Sequence, residues 1–247
     1  MTYCVGMMLE KGIVMMSDTR TNSGVDNISV FRKMFHWSKP GERMMAVMTA
    51  GNLATTQAVI SRLEERTKAP EDRSIGLFEA PTMFQVATEI GQMLRETIAH
   101  RQKANGEAGR RKFTASIILA GQIAGMEPRL FMIYPEGNFI EASYDTPFFQ
   151  IGETKYGRPI LIRGYDRDMS FEDAVKLLMV SFDSTLKANL SVGLPLDMMV
   201  IGRDDFAATH ERRLTHDDPY FERLSDEWGN ALRTAFHSLP PYSFPDT

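Results

Sequence analysis

The feature that most constrains this chain is a set of short, nearly unbroken apolar runs, among them Met44-Met45-Ala46-Val47-Met48 and Ile117-Ile118-Leu119-Ala120. A strand written this way presents apolar side chains on both faces, so its sheet needs cover above and below. Strands are predicted over Thr2–Leu9, Ile13–Ser17, Ser29–Trp37, Arg43–Thr49, Phe113–Ala120, Arg129–Tyr134, Asn138–Ala142 and Asp197–Gly202. The first two flank Glu10-Lys11-Gly12, a charged pair and a glycine with turn chemistry, and are expected to form a β-hairpin. One sheet packed on a second, with helices outside, gives every such strand its cover.

Apolar residues at mixed spacings of three and four predict helices over about Leu53–Thr67, Pro81–Lys103, Ser170–Asn189 and Pro219–His237. Ser170 suits an N-cap, with Glu172-Asp173 placing negative charge in the first turn. Pro81 suits a first turn because it needs no amide partner. The linkers Lys68–Ser74 and Ala104–Arg111 are polar and short, and a single domain over all 247 residues is expected. The methionine doublets Met7-Met8, Met15-Met16, Met44-Met45 and Met198-Met199 all fall inside apolar runs, where methionine serves as adaptable core filling.

Charge and cysteine usage exclude several function classes. The 28 Lys and Arg against 32 Asp and Glu give a net charge of −4 spread along the chain, so neither nucleic acid nor an anionic membrane is an expected partner. No apolar run approaches the roughly 20 residues that span a bilayer, and no signal-peptide pattern opens the chain. Cys4 is the sole cysteine, which excludes an internal disulfide and fits a cytoplasmic location. His210, His216 and Asp217-Asp218 lack a ligand spacing, and Gly152-x-x-x-x-Gly157-Arg158 lacks the Gly-Lys-Ser/Thr ending of a phosphate loop. No metal and no cofactor is expected.

The chemistry starts at Met1-Thr2. Removal of Met1 leaves a threonine whose own α-amine lies within reach of its hydroxyl, and an α-amine with an ordinary pKa of about 7.7–8.0 is partly neutral near pH 7 and able to take the hydroxyl proton. Counting back from the hairpin turn brings Asp18 beside Thr2 within one or two residues. Lys33 interrupts an apolar strand between Phe31 and Phe35; an ammonium near Thr2 favours the alkoxide and lowers the amine's proton affinity, and Asp18 would orient it. Arg20 is an alternative partner for Asp18. Gly51, between an apolar strand and a helix, offers an amide that a substrate can approach closely. Singly, each has a bland reading: an ordinary Met-Thr start, a polar strand end, an exposed lysine, a turn glycine. Cys4 sits inside its strand and is read as a core residue.

In order and spacing, Thr-x-x-Val-Gly at 2–6, Ser17-Asp18-Thr19-Arg20, Lys33 and Ala50-Gly51 resemble the β-type subunits of the proteasome family. The longer strings Ser17 to Asn22, Phe31 to Met34 and Thr49 to Thr56, with Asp183-Ser184-Thr185 and Asn189 to Gly193, resemble its bacterial Anbu branch. The resemblance implies an α+β fold, a four-layer αββα sandwich of two mainly antiparallel sheets covered by helices. It implies a threonine-type peptidase or amidase with nucleophile Thr2, the orienting pair Asp18 and Lys33, and an oxyanion amide at Gly51. It implies a homo-oligomer of many identical subunits acting on peptide or amide bonds, and leaves an ATPase partner open. By position, Thr21, Thr49, Leu53 and Gln57 would border the specificity pocket. Where the β-type pattern has Asp-x-x-Ser, this chain reads Asn189-Leu190-Ser191-Val192, so Ser191 and, less directly, Thr154 are candidate supporting hydroxyls. The missing aspartate motivates the alternative of a catalytically weak or inactive scaffold or binding particle.

Overall fold

The computed structural model describes residues 2–22, 28–68, 76–105 and 113–244, so Met1 and most of the expected linkers 68–74 and 104–111 lie outside the described residues. In chain order the elements are β1 (Tyr3–Leu9), β2 (Gly12–Asp18), β3 (Arg20–Asn22), β4 (Ile28–Val30), β5 (Met34–Lys39), β6 (Arg43–Gly51), α1 (Leu53–Lys68) and α2 (Met83–Asn105). There follow β7 (Ala115–Ile123), β8 (Arg129–Ile133), β9 (Phe139–Glu141), β10 (Phe148–Gly152), α3 (Arg158–Gly164), α4 (Phe171–Ala188), β11 (Leu196–Gly202), β12 (His210–Leu214) and α5 (Pro219–His237). Two five-stranded sheets form, ordered β10-β1-β2-β11-β12 and β5-β6-β7-β8-β9, beside a β3-β4 ribbon. Their pairings are antiparallel, as in the β1–β2 hairpin, where Leu9 faces Gly12 and Cys4 faces Ser17.

The methionine doublets show how the layers are built. Successive side chains of a strand point to opposite faces, so each doublet divides between two cores. Met15, Met44 and Met199 enter the layer between the sheets, with Cys4, Ile13 and Ile118. Their neighbours Met16 and Met198 face α4 and α5, against Phe182 and Leu224, while Met45 faces α1 and α2, against Leu63 and Ile90. The result is helices, sheet, sheet, helices: the four-layer αββα sandwich the sequence predicts. Full burial of one such side chain is worth about 1.5–3 kcal/mol, and an apolar run on both strand faces is what this arrangement requires.

Several predicted boundaries hold. Ser170 caps α4, its Oγ accepting from the Asp173 amide at 3.0 Å, and α5 starts at Pro219 behind the Asp218 cap. Others move. Helix α2 starts at Met83, after Pro81, because Thr82 Oγ1 accepts from the Gln85 amide. The expected strand Ser29–Trp37 divides into β4 and β5. Its middle passes from the ribbon to the sheet: the Phe31 amide donates to the Thr19 carbonyl at 2.9 Å, next to β3, and the Lys33 carbonyl accepts from the Thr49 amide of β6 at 3.0 Å. Strands β3, β10 and β12 and helix α3 are additions; β12, His-Glu-Arg-Arg-Leu, is a charged edge strand with four exposed residues and no apolar signal. Among the described residues no helix is long and apolar enough to cross a membrane.

Candidate active site

The hairpin register delivers the first contact. With Cys4 opposite Ser17, the end of β2 comes back to the start of β1, and the Tyr3 amide donates to Asp18 Oδ1 at 3.0 Å. Asp18 therefore returns beside Tyr3, one residue past Thr2, within the expected register. The break between β4 and β5 delivers the second. Lys33 Nζ reaches the same Asp18 Oδ1 at 2.7 Å and donates to the Arg20 carbonyl at 2.6 Å. Asp18 and Lys33 are only 0% and 4% exposed. Burial pushes the Asp18 carboxyl above the usual carboxylate range, with the Lys33 ammonium and the Tyr3 and Gly193 amides opposing it. Arg20, the alternative partner, turns elsewhere: its Nη1 donates to the Leu190 carbonyl at 2.9 Å.

Thr2 is held from the other side by β10. Its carbonyl accepts from the Glu153 amide at 2.6 Å, and Gly152 has φ +85°, so close that a Cβ there would lie 2.0 Å from the Thr2 oxygen. Gly51 is equally fixed as glycine: φ is +112° and a Cβ would lie 2.4 Å from the Thr114 carbonyl oxygen. The chain then enters α1, whose start is capped by Asn52 Oδ1 accepting from the Thr55 amide at 3.0 Å.

Thr2, Lys33, Gly51 and Gly152 line one cavity of about 230 Å³, walled further by Thr21, Thr49, Ala50, Leu53 and Thr56. Three of the four expected pocket residues are there. Gln57 is not; it is exposed, off the buried face of α1 formed by Thr55, Thr56, Val59 and Ile60, and Thr56 stands in its place. Neither Ser191 nor Thr154 lines the cavity. Ser191 sits in the turn after α4, its amide donating to Asn189 Oδ1 at 2.9 Å. Cys4 is fully buried with its thiol pushed up by desolvation, which keeps it protonated and inert. A larger groove of about 870 Å³ between α3, α4 and α5, with Leu177, Val180, Trp228 and Leu232 on its walls, lies away from this constellation.

Two arrangements beside Thr2 carry no sequence signal that periodicity finds. Tyr3 Oη lies 2.7 Å from Ser181 Oγ and accepts from Gln150 Nε2 at 2.8 Å, and burial pushes its pKa up to about 12. Glu153 accepts from Asn189 Nδ2 at 2.9 Å, joining the end of β10 to the end of α4. The apposition of a threonine hydroxyl, a buried ammonium held by a carboxylate, and a glycine at a strand-to-helix turn suits acyl transfer to a hydroxyl.

The family model for proteasome subunits matches residues 2–201. Among curated proteins, the proteasome subunit beta of Methanopyrus kandleri is 24% identical over 204 residues, 83% of this chain and 88% of the relative. Among solved structures, Anbu (ancestral beta-subunit) from Yersinia bercovieri superposes with TM-score 0.91 at 45% identity, covering 99% of this chain and all of that one (100%). A helical assembly of the Anbu complex from Pseudomonas aeruginosa gives TM-score 0.90 at 43% identity, covering 98% of both chains.

Proposed function

The chain belongs to the proteasome subunit family, in its Anbu branch, and from that premise we propose that it is a threonine-type peptidase or amidase whose nucleophile is Thr2 after removal of Met1. The observation that carries this reading is that Thr2, Lys33 and Gly51 line one cavity while buried Asp18 holds the lysine. The Thr2 hydroxyl oxygen attacks the substrate carbonyl carbon as its proton passes to the Thr2 α-amine. The Gly51 amide stabilises the oxyanion, worth roughly 10²–10³ in rate for one such donor. Collapse expels the amine product, which takes the proton from the α-ammonium and leaves an ester on Thr2. Water then attacks the ester, giving a proton to the amine, and the second collapse returns that proton to the Thr2 oxygen as the acid departs. Lys33 favours the alkoxide throughout, with Asp18 orienting it.

The cavity walls, Thr21, Thr49, Leu53 and Thr56, are small, apolar or neutral polar, and support no preference for a charged substrate side chain. Hydrolysis of fluorogenic peptides tests the reading: Thr2→Ala abolishes turnover and keeps the fold, whereas a fully active Thr2→Ala protein contradicts it.

The working unit is a homo-oligomer located in the cytoplasm, with its single domain repeated in every subunit. Support comes from α5, whose buried Phe221 and Leu224 continue into Leu232 and Phe236, 50% and 69% exposed, and then into exposed Leu239, Tyr242 and Phe244. The occupant of this face is a second copy of the chain, since a 43%-identical relative is described as a helical assembly.

A further inference from the structure

Glu153 stands where two sides of the cavity meet. Its amide donates to the Thr2 carbonyl at 2.6 Å. Its carboxylate belongs to a residue only 8% exposed, and each oxygen meets a donor: Oε1 accepts from the Lys155 amide at 3.0 Å and Oε2 from Asn189 Nδ2 at 2.9 Å. Asn189 ends α4 and spends its other side-chain group on the turn that follows, Oδ1 accepting from the Ser191 amide at 2.9 Å, while its carbonyl accepts from the Val192 amide at 3.1 Å. That turn lies against the catalytic pair: Arg20 holds the Leu190 carbonyl at 2.9 Å, and the Gly193 amide is among the groups that stabilise the Asp18 carboxylate.

We propose that Glu153 is a positioning residue, which through Asn189 sets the turn carrying Ser191 and Gly193 against Asp18 and Lys33 at the Thr2 site. The inference rests on the reading of Thr2 as nucleophile. Position 189 holds an amide, and the carboxylate beside it comes from Glu153, the residue after β10. Only a carboxylate accepts on both oxygens. A glutamine at 153 turns an NH2 group toward one of two donors, the Lys155 amide or Asn189 Nδ2, and leaves that part-buried donor facing another donor. An aspartate at 189 opposite Glu153 sets two carboxylates face to face. Combining Glu153→Gln with Asn189→Asp restores each of these three side-chain bonds. The introduced amide accepts from the Lys155 amide on its oxygen and donates through its nitrogen to the introduced carboxylate, whose second oxygen accepts from the Ser191 amide.

The test compares wild type, Glu153→Gln, Asn189→Asp and the double variant by amide hydrogen exchange at Ser191 and Val192 and by inactivation kinetics of Thr2 with a threonine-directed covalent inhibitor. Each single variant is expected to speed exchange in the turn and to lower the maximal inactivation rate about tenfold, with inhibitor affinity unchanged, and the double variant to return both within about threefold of wild type. Unchanged exchange in Glu153→Gln, or a double variant as defective as the singles, overturns the role of Glu153. A wild-type protein lacking Met1 that does not react at Thr2 defeats the nucleophile reading instead, and the exchange rates then decide the role of Glu153 alone.

Discussion

Asp18 and Lys33 meet through a single carboxylate oxygen: Oδ1 takes both the lysine ammonium, at 2.7 Å, and the Tyr3 amide, at 3.0 Å, while among the described residues no side chain pairs with the buried Oδ2, toward which only the Gly193 amide contributes. All the stabilisation of that carboxylate by side-chain charge thus comes from one direction, and the next residue along β1 from the proposed nucleophile shares it. Position and charge at the site are tied together by one atom.

Removing the cation exposes how much it contributes. Lys33→Met leaves Asp18 buried with no counter-charge, and breaking a buried pair from one side costs about 3–5 kcal/mol. The variant is expected to lose stability by this order at pH 7 in urea unfolding and by less as the pH falls into the acid range, because a proton on Asp18, whose burial favours the neutral form, removes the unpaired charge. Peptide hydrolysis is expected to fall roughly 100-fold or more. A variant with unchanged unfolding midpoint and rate would sever Lys33 from both roles.

Tyr3 gives an alkaline signature. Its hydroxyl titrates near 10 in an unfolded chain and at about 12 in the fold. The folded value is raised, so its contribution is fully present below pH 10 and is lost as pH rises through the interval to about 12, on the order of 2–3 kcal/mol. Tyr3→Phe, followed by unfolding free energy against pH, is expected to show a shallower decline across that window than wild type; parallel curves would contradict it.

Gly51→Ala tests the backbone at the proposed oxyanion position. At φ +112°, with the Thr114 carbonyl oxygen 2.4 Å from a Cβ, alanine forces the turn to move, at a cost of about 1–3 kcal/mol or more. The expected outcome is a lower melting temperature together with loss of turnover, measured on the same preparation. Wild-type turnover in a variant whose melting temperature has fallen would show that catalysis does not depend on the exact placement of the Gly51 amide.

Much of this site is legible in the sequence. The charged pair and glycine at 10–12 fix the hairpin, and the hairpin brings Asp18 to the first residues of the chain; the lysine inside an apolar strand marks the break from which it reaches Asp18. What stays hidden joins elements distant in sequence. The Glu153–Asn189 bond links residues 36 apart at the ends of β10 and α4, and no periodicity encodes it. Gln57 is misplaced by position alone because the face of α1 is set by packing against the sheet, which turns Thr56 inward. Strand β12 escapes a reading by apolar pattern because its charges suit an edge strand and mask its period.

The exposed end of α5 makes a prediction about assembly. The double variant Leu232→Ser, Phe236→Ser removes apolar area from the stripe without touching the cavity. Sedimentation velocity is expected to show smaller particles at equal concentration, with the fold retained by circular dichroism. An unchanged particle would remove this face from the interface.

The most direct measurement is the intact mass and peptide map of the purified protein after reaction with a threonine-directed covalent inhibitor. The account predicts one adduct per chain that has lost Met1, located on Thr2 and absent from Thr2→Ala. A Met1-free protein that takes no adduct, or an adduct that persists in Thr2→Ala, contradicts it.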